Sequence, residues 1–191
     1  MTISGVVRRA RLGTMDPSPT FKEHIRVRAA TGEDLPTLGR LAASLVAQHH
    51  DYDPARFFLP QDVEQSYRAW FGRELGNADA ILLVAELERE QGRSVVGYAY
   101  GRVEARDWNM LLDRHAVLHD VLVGSEARGH GAGAALVRAF LERARAREVP
   151  RVVLHTAVQN TGAQRLFARL GFRPTMVEMT CEIEAPEPQR S

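Results

Sequence analysis

The chain has 191 residues, of which 45% are hydrophobic and 26% are charged, with 25 basic and 24 acidic side chains. That length is enough for one domain with a sizeable core and is short for two. The charge balance argues against a general nucleic-acid binder, which usually has a basic excess. No apolar run is long enough to cross a membrane, so we expect neither a nucleic-acid nor a membrane partner.

The N-terminal segment and the cysteine content indicate the location of the protein and argue against a metal site. Residues 1–22 are expected to be a flexible segment, because Pro17 and Pro19 stand among Ser and Thr and no hydrophobic period emerges. This segment lacks the continuous apolar stretch of a secretory signal. Cys181 is the only cysteine, which excludes an intramolecular disulfide and argues against a cysteine-based zinc site. We predict a cytoplasmic protein without a bound metal.

The hydrophobic periodicity predicts strands and helices in the order βααβββαβαβ. In chain order these are a strand from His24 to Ala29, a helix from Thr31 to about His50, a helix over 62–75, strands over 80–87, 95–105 and 116–123, a helix from the glycines near 131, a strand over 151–158, a helix over 161–170 and a strand over 172–184. Hairpin-like neighbours are combined with one strand–helix–strand unit. We predict a single α/β domain over residues 23–185, with a mixed central sheet flanked by about four helices and with a tail over 186–191.

The most informative stretch is a glycine-rich turn after the strand that ends at Val123. It reads RGHGAG over residues 128–133 and opens a helix. Glycines let backbone N–H groups converge, and a helix N-terminus adds partial positive charge, so the turn suits a pyrophosphate. A P-loop would need Gly-Lys followed by Ser or Thr, which is missing. A dinucleotide site would need an acid where the next strand has His155 and Thr156. Coenzyme A and a turn without ligand remain as interpretations.

A second motif follows one strand later and favours coenzyme A. Residues 160–172 read NTGAQRLFARLGF. Together the two motifs resemble the GCN5-related N-acetyltransferases (GNAT), with RGHGAG similar to the pyrophosphate loop and the second motif similar to the coenzyme-A-binding helix. The resemblance covers about residues 24–184. It implies a GNAT-like fold in which two neighbouring parallel strands splay apart.

The resemblance implies acetyl-CoA as cosubstrate and assigns residues to it. The expected contacts are Leu122 and Val123 for the pantetheine arm, Arg128, Gly129, His130, Gly131, Ala132 and Gly133 for the pyrophosphate, and Asn160 and Phe167 for the far side of the arm. Ordinary core packing is the competing interpretation for Leu122, Val123 and Phe167. The family often has a tyrosine acid where this chain has Phe167, which cannot donate a proton. Solvent, Tyr98 or Tyr100 would have to serve, and a thiol with a pKa of about 8.5 is a tolerable leaving group without an acid.

A general base is expected on the strand that precedes the arm contacts. His119 and Asp120 are adjacent there, and Glu104 at the end of the preceding strand is a third candidate. Imidazole has a suitable pKa for accepting a proton near neutral pH. Adjacent strand residues face opposite ways, so only one of the pair should enter the cleft unless a bulge intervenes.

The resemblance implies that the loop between the first two helices helps to bind the acceptor. It reads HHDYDPARFF over residues 49–58, and Tyr52, Asp53 and Phe57 combine aromatic and acidic character that suits an amine. A capped, solvated turn with a phenylalanine in the core is the competing interpretation.

The resemblance implies an enzyme of the acyltransferase class. We expect an N-acetyltransferase that moves an acetyl group from acetyl-CoA to a primary amine of a small-molecule or peptide acceptor, by direct attack on the thioester. The alternative is a noncatalytic acyl-CoA-binding regulatory module, which Phe167 supports. Dimerisation is common in the family that the chain resembles, so a homodimer is open as well.

Overall fold

The computed structural model describes residues 24–90 and 92–183. The predicted flexible segment over 1–22 and the predicted tail over 186–191 lie outside the described residues, and the domain boundaries stay predictions. The elements in chain order are β1 (His24–Ala29), α1 (Leu35–Tyr52), α2 (Val63–Glu74), β2 (Ala80–Arg89), β3 (Gly92–Glu104), β4 (His115–Val123), α3 (Ala132–Arg145), β5 (Val152–Leu154) and α4 (Thr161–Arg169). None of the helices described is long and apolar enough to cross a membrane.

The five strands form one mixed sheet in the order β1-β2-β3-β4-β5. The first four strands pair antiparallel, whereas β4 and β5 are parallel and are joined through α3, since a parallel connection needs a crossover. This parallel pairing begins at Ala116 opposite Val152 and ends at Leu118 opposite Leu154, while β4 continues to Val123. The predicted α/β fold class, with a mixed sheet and a parallel pair that separates, is confirmed.

The sheet separates two hydrophobic cores with different chemistry. On the α3 face the core is mostly aliphatic and includes Leu83, Leu118, Leu136 and Phe140. On the face covered by α1 and α2, two fully buried tyrosines lie among the apolar side chains; this core comprises Leu38, Ala42, Leu45, Phe71, Leu82, Val84, Tyr98, Tyr100 and Leu122. Polar groups that could serve a reaction are therefore concentrated on the α1 and α2 face.

A buried carboxylate fixes the start of the first helical segment. Asp34 accepts hydrogen bonds from the Thr31 amide at 2.8 Å and from two nitrogens of Arg28 at 2.7 and 2.9 Å. These donors, the Arg28 guanidinium first, lower the pKa of Asp34. Arg28 also donates to Glu86 at 2.8 Å, which ties the helix start to β2. The capping pattern read from Thr31 and Asp34 is therefore a structural feature.

Two predicted strands differ from the structure. The strand predicted over 151–158 is limited to Val152–Leu154, because β4 and β5 separate beyond that point. The strand predicted over 172–184 is wrong for the single chain, since residues 172–183 form no helix or strand and residues 173–183 are exposed. Their alternating side chains favour a strand, but strand geometry also needs a neighbour for the backbone groups.

Candidate active site

A β-bulge at His119 brings two predicted site residues to the same face of the sheet. Along β4, Leu118 pairs with Gly101 and Asp120 pairs with Tyr100, so His119 is an extra residue between two regular pairs. Leu118 packs in the α3-face core, whereas Leu122 packs in the core under α1 and α2. The bulge therefore reverses the alternation of side chains along β4. As a result His119 and Asp120 lie on the same face of the sheet, where both contact tyrosines of β3.

Asp120 is held by a buried hydroxyl. The Tyr98 hydroxyl donates to its carboxylate at 3.1 Å, and Tyr98 is completely buried. Burial raises the pKa of Asp120 to about 6, against the smaller lowering effects of the Tyr98 bond and of nearby His49. Burial raises the pKa of nearby Tyr67 to about 12, and the charge of Asp120 adds to this effect. A carboxyl group in this environment can exchange a proton near neutral pH.

His119 lies between an aromatic ring and a carboxylate. Its imidazole stacks on the Tyr100 ring with centroids 5.7 Å apart, and its Nε2 is 3.7 Å from Glu104 Oε1. Partial burial lowers the pKa of His119, and this outweighs the opposite effect of Glu104. The imidazole is therefore neutral at physiological pH, which is the form that accepts a proton. The structure thus brings the three predicted catalytic residues to one face.

Glu74 is a site neighbour that the sequence reasoning missed. It lies in the last turn of α2, is buried, and accepts a hydrogen bond from the Tyr100 hydroxyl at 2.7 Å. Arg102 Nε lies 3.8 Å from the same carboxylate. The sequence did contain a signal for it. Glu74 lies three residues after Phe71 and so on the same inward face of α2, where a buried carboxylate needs a hydrogen-bond donor.

The two tyrosines of β3 are poor proton donors. The hydroxyls of Tyr98 and Tyr100 are both engaged as donors to carboxylates. Burial, together with those carboxylates, raises the pKa of Tyr98 well above its usual range and raises that of Tyr100 too. Both tyrosines therefore suit the positioning of other groups better than the acid role considered for them.

The glycine turn has an open, left-handed backbone before α3. Gly129 and Gly131 have φ angles of 84° and 82°, and a Cβ at either position would meet no atom within 4 Å. L-residues with side chains avoid this region of φ, so glycine is required by conformation and leaves room for a ligand. The first N–H groups of an α-helix, here those from Ala132 onward, have no intrahelical acceptor and suit an anion.

Tight packing positions the glycine turn against β4 and α4. A Cβ on Gly133 would lie 3.2 Å from Leu166 of α4 and 3.7 Å from Val123 of β4. Arg128 Nε donates to the Val123 carbonyl at 3.4 Å, so its guanidinium lies at the end of β4. His130 Nδ1 donates to the Arg128 carbonyl at 3.1 Å. The turn is therefore fixed relative to the end of β4.

The end of β4 and the turn share a cavity with α1. Its volume is about 380 Å³. The walls are Leu41, Ser44 and Gln48 of α1, residues 122–126, and Arg128. Predicted contacts for the arm and for the pyrophosphate thus border one space.

The two residues predicted in α4 have structural roles. Asn160 caps the helix, with its side-chain oxygen accepting from the Ala163 amide at 3.1 Å. Phe167 packs against the α3-face core and meets Phe172 edge-on at 5.7 Å. These contacts explain the residue types, and a contact with coenzyme A stays a prediction for both.

The loop after α1 packs around His49. The His49 ring meets Phe57 at 5.1 Å and Tyr52 at 6.0 Å between centroids, both edge-on. The Asp53 carboxylate accepts from the amides of Ala55 and Arg56 at 3.1 and 3.2 Å, so it stabilises a local turn. His49 is also close enough to Asp120 for its charge to lower the pKa of that carboxyl. Tyr52 and Phe57 therefore contact the histidine whose charge acts on Asp120.

Several known proteins are similar in sequence to this chain. The family model described as Acetyltransferase (GNAT) family matches residues 45–172. An L-methionine sulfoximine/L-methionine sulfone acetyltransferase of Pseudomonas aeruginosa is 35% identical over 107 residues, which are 55% of this chain and 57% of that protein. The match thus spans just over half the length of that relative. Glucosamine 6-phosphate N-acetyltransferase 1 of Oryza sativa subsp. japonica is 33% identical over 122 residues, covering 63% of this chain and 70% of the relative.

Solved structures share the fold at low sequence identity. A tetramutant of the BH1408 protein from Bacillus halodurans superposes with a TM-score of 0.70 at 19% identity, covering 83% of this chain and 99% of that one. AAC(6')-Iy, in complex with the bisubstrate analogue CoA-S-monomethyl-acetylneamine, superposes with a TM-score of 0.61 at 16% identity, covering 85% and 99%. Because the family model spans more than half of the chain and includes β4, the glycine turn and α4, the chain belongs to the acetyltransferase (GNAT) family.

Proposed function

We propose that the protein is an N-acetyltransferase that moves an acetyl group from acetyl-CoA to a primary amine of a small-molecule acceptor. The observation that carries the proposal is the juxtaposition at the end of β4. An open glycine turn at the start of α3 follows that strand, and the bulge upstream places Asp120 and His119 on one face. The two named relatives are acetyltransferases of small amine-bearing molecules, which supports the same substrate class.

The residues at the glycine turn fit acetyl-CoA. Gly129 and Gly131 leave open space where a side chain would stand, and the α3 N-terminus and Arg128 supply N–H donors and positive charge. We assign the pyrophosphate to residues 128–133 and the pantetheine arm to Leu122 and Val123. When bound, acetyl-CoA supplies an acetyl group activated as a thioester.

Asp120 and His119 are proposed to take the proton from the acceptor. An alkylammonium has a pKa of about 10, so its deprotonation at pH 7 costs about 4 kcal/mol, and a base in the cleft lowers that barrier. Burial brings the pKa of Asp120 to about 6 and keeps His119 neutral, so both groups accept protons at pH 7. Glu104 is proposed to attract the cationic acceptor toward His119, which it faces at 3.7 Å.

No acid is assigned to the departing sulfur. Phe167 has no proton to donate, and the hydroxyls of Tyr98 and Tyr100 are committed to carboxylates. A thiol has a pKa of about 8.5, so the thiolate leaves at neutral pH and solvent protonates it.

The α1–α2 loop is proposed to bind the body of the acceptor. Tyr52 and Phe57 present aromatic surface around His49, which suits a cation with apolar parts. Asp53 is proposed to act through the turn that it stabilises, which orients Phe57. A single exposed cysteine agrees with a cytoplasmic location, which we propose as well.

The test combines acetyl-CoA binding by calorimetry with thiol release over a panel of amines. The panel includes methionine sulfone, glucosamine 6-phosphate, an aminoglycoside and a diamine. Gly131→Glu should abolish binding, because it places a strained, negatively charged side chain in the anion site. Gly32→Glu is the matched control, since its surroundings are equally open and its backbone is not left-handed.

The outcomes separate the two candidate functions. Binding with thiol release that is lost in Gly131→Glu and kept in Gly32→Glu supports the transferase. Binding without release for every amine favours the noncatalytic acyl-CoA-binding module. An absence of binding to the unmodified chain refutes the coenzyme A assignment and with it the whole proposal.

A further inference from the structure

The β3 strand continues beyond Tyr100 with two charged residues on the face of the sheet that contains the candidate active site. A Cβ on Gly101 would lie 2.5 Å from the Phe140 ring of α3, so this position faces the α3 core. Successive residues of a strand point to opposite faces. Arg102 and Glu104 therefore lie with Tyr100 on the α1 and α2 face.

The guanidinium of Arg102 has an unpaired donor. In the part of the chain that the structure describes, its Nε is buried and has no hydrogen-bond partner. Glu74 Oε2 lies 3.8 Å away, which is too far for a hydrogen bond, and the same oxygen already accepts from the Tyr100 hydroxyl at 2.7 Å. Buried donors are nearly always paired in folded proteins, because leaving one unpaired is costly. The Arg102 side chain is still 40% exposed, so a small molecule can reach it.

Arg102 also lies close to the histidine that is proposed to accept a proton. His119 stacks on the ring of Tyr100, which is two residues before Arg102 on β3. Burial is the main cause that lowers the pKa of His119, and the positive charge of Arg102 acts in the same direction, against Glu104. An acceptor that contacts Arg102 at one end can therefore reach His119 with the other.

Arg102 and Glu104 place opposite charges at a short spacing along the strand. Two residues on one face of a strand are about 6.7 Å apart. Glu104 Oε1 is 3.7 Å from His119 Nε2, so the negative position is on the side of the proposed base. This arrangement suits a molecule that has an ammonium and an anionic group a few bonds apart. A purely cationic acceptor would instead bring a second positive charge toward Arg102.

We propose that Arg102 binds an anionic oxygen group of the acceptor, a carboxylate or a phosphate, so that the substrates are primary amines that also carry a negative charge. The inference rests on the proposed acetyl transfer and adds the substrate class to it. A planar guanidinium can donate two parallel hydrogen bonds to either group. Arg102 thereby orients the amine toward His119 and Asp120 and takes no part in the proton transfer.

The test compares pairs of acceptors that differ in the anionic group. Methionine sulfone is paired with its carboxamide, and glucosamine 6-phosphate is paired with glucosamine. For at least one pair, kcat/KM should be about tenfold or more higher for the anionic member, because a hydrogen bond to a charged group is strong. The pair that shows this preference identifies the group as a carboxylate or a phosphate.

Substitution of Arg102 should remove the preference. In Arg102→Gln the KM for the anionic acceptor should rise about tenfold or more, whereas kcat/KM for its neutral partner and the calorimetric affinity for acetyl-CoA should be unchanged. Arg102→Lys keeps the charge without the planar fork and should retain part of the preference. Arg93→Gln is the matched control, because Arg93 is 48% exposed and pairs with Glu88 at the other end of β3. It should keep the full preference.

The outcomes separate this inference from the proposed function. An equal loss for anionic and neutral acceptors in Arg102→Gln would overturn the inference and assign Arg102 a structural role beside Glu74. Equal kcat/KM values for both members of each pair in the unmodified protein would overturn it as well. Acetyl transfer would stand in both cases. Thiol release with no amine at all would refute the proposed function itself, and this inference with it.

Discussion

Replacing Tyr98 by phenylalanine tests the proposed role of Asp120 as a base. The change removes one buried oxygen and leaves the ring, so it deletes the 3.1 Å hydrogen bond to the carboxylate. That bond stabilises the ionised form of Asp120 and lowers its pKa. Without it the carboxyl stays buried but loses a donor, so its pKa must rise above the present value of about 6.

The size of the shift follows from the strength of such a bond. A hydrogen bond to a charged group is worth about 1.5–3 kcal/mol, which corresponds to roughly one to two pKa units at 1.36 kcal/mol per unit. The pKa of Asp120 should therefore move to between about 7 and 8. At pH 7 the ionised fraction falls from about nine tenths to between about one half and one tenth, so the rate should drop roughly two- to ninefold. At pH 9 the rate should be unchanged.

The assay is the pH profile of kcat/KM by thiol release, with the Asp120 carboxyl followed by carbon NMR in the free protein. Tyr100→Phe is the matched control, because it removes an equally buried hydroxyl from the same strand whose acceptor is Glu74. An unchanged acidic limb in Tyr98→Phe would refute the reasoning, as would an equal shift in Tyr100→Phe.

Three further changes test stability. Asp120→Asn should raise the free energy of unfolding, and the gain should be about 1–2 kcal/mol larger at pH 8 than at pH 5. The parent loses stability as pH rises through 6, because the pKa of Asp120 is about 6 in the folded state and 3.8 in the unfolded state. Gly101→Ala should destabilise the fold by about 3 kcal/mol, since its Cβ would meet the Phe140 ring at 2.5 Å. Asp34→Ala should cost about 2 kcal/mol at pH 7 by removing the acceptor of Arg28, and less as acid protonates Asp34 in the parent, whose folded pKa is lowered.

Urea unfolding measures all three effects, and each has its own contradicting outcome. A pH-independent difference for Asp120→Asn would show that the carboxyl is not titrating as proposed. Wild-type stability in Gly101→Ala would mean that β3 and α3 are not in close contact. For Asp34→Ala, a loss that grows as pH falls toward 3 would reverse the expected sign.

The sequence predicted correctly those features of the structure that depend on residues close together in the chain. The glycines at 129 and 131 were predicted to open α3 as an anion site, and both have the left-handed backbone that this geometry requires. Thr31 and Asp34 were predicted to begin the first helical segment, and their hydrogen bond does so. The backbone of the glycine turn and the helix start at Asp34 are determined by residues a few positions apart, so local sequence patterns are sufficient to predict them.

Features that depend on distant partners escaped sequence reasoning. Glu74 of α2 can be buried because its carboxylate accepts a hydrogen bond from Tyr100 of β3. The bulge at His119 is a matter of register between β3 and β4, which alternation alone cannot reveal. The segment after Gly171 has the side-chain pattern of a strand, but among residues 24–90 and 92–183 no strand pairs with it, so the pattern alone could not predict its state.

The bulge has a consequence for how this cleft can change during evolution. Because Leu118 and Asp120 pair with consecutive residues of β3, deletion of His119 would leave every other side chain of β4 on its present face. The histidine is therefore an insertion into an otherwise regular ladder and not a substitution within it. A strand built in this way can gain or lose a titratable group by one codon, while the cores on its two sides keep their packing.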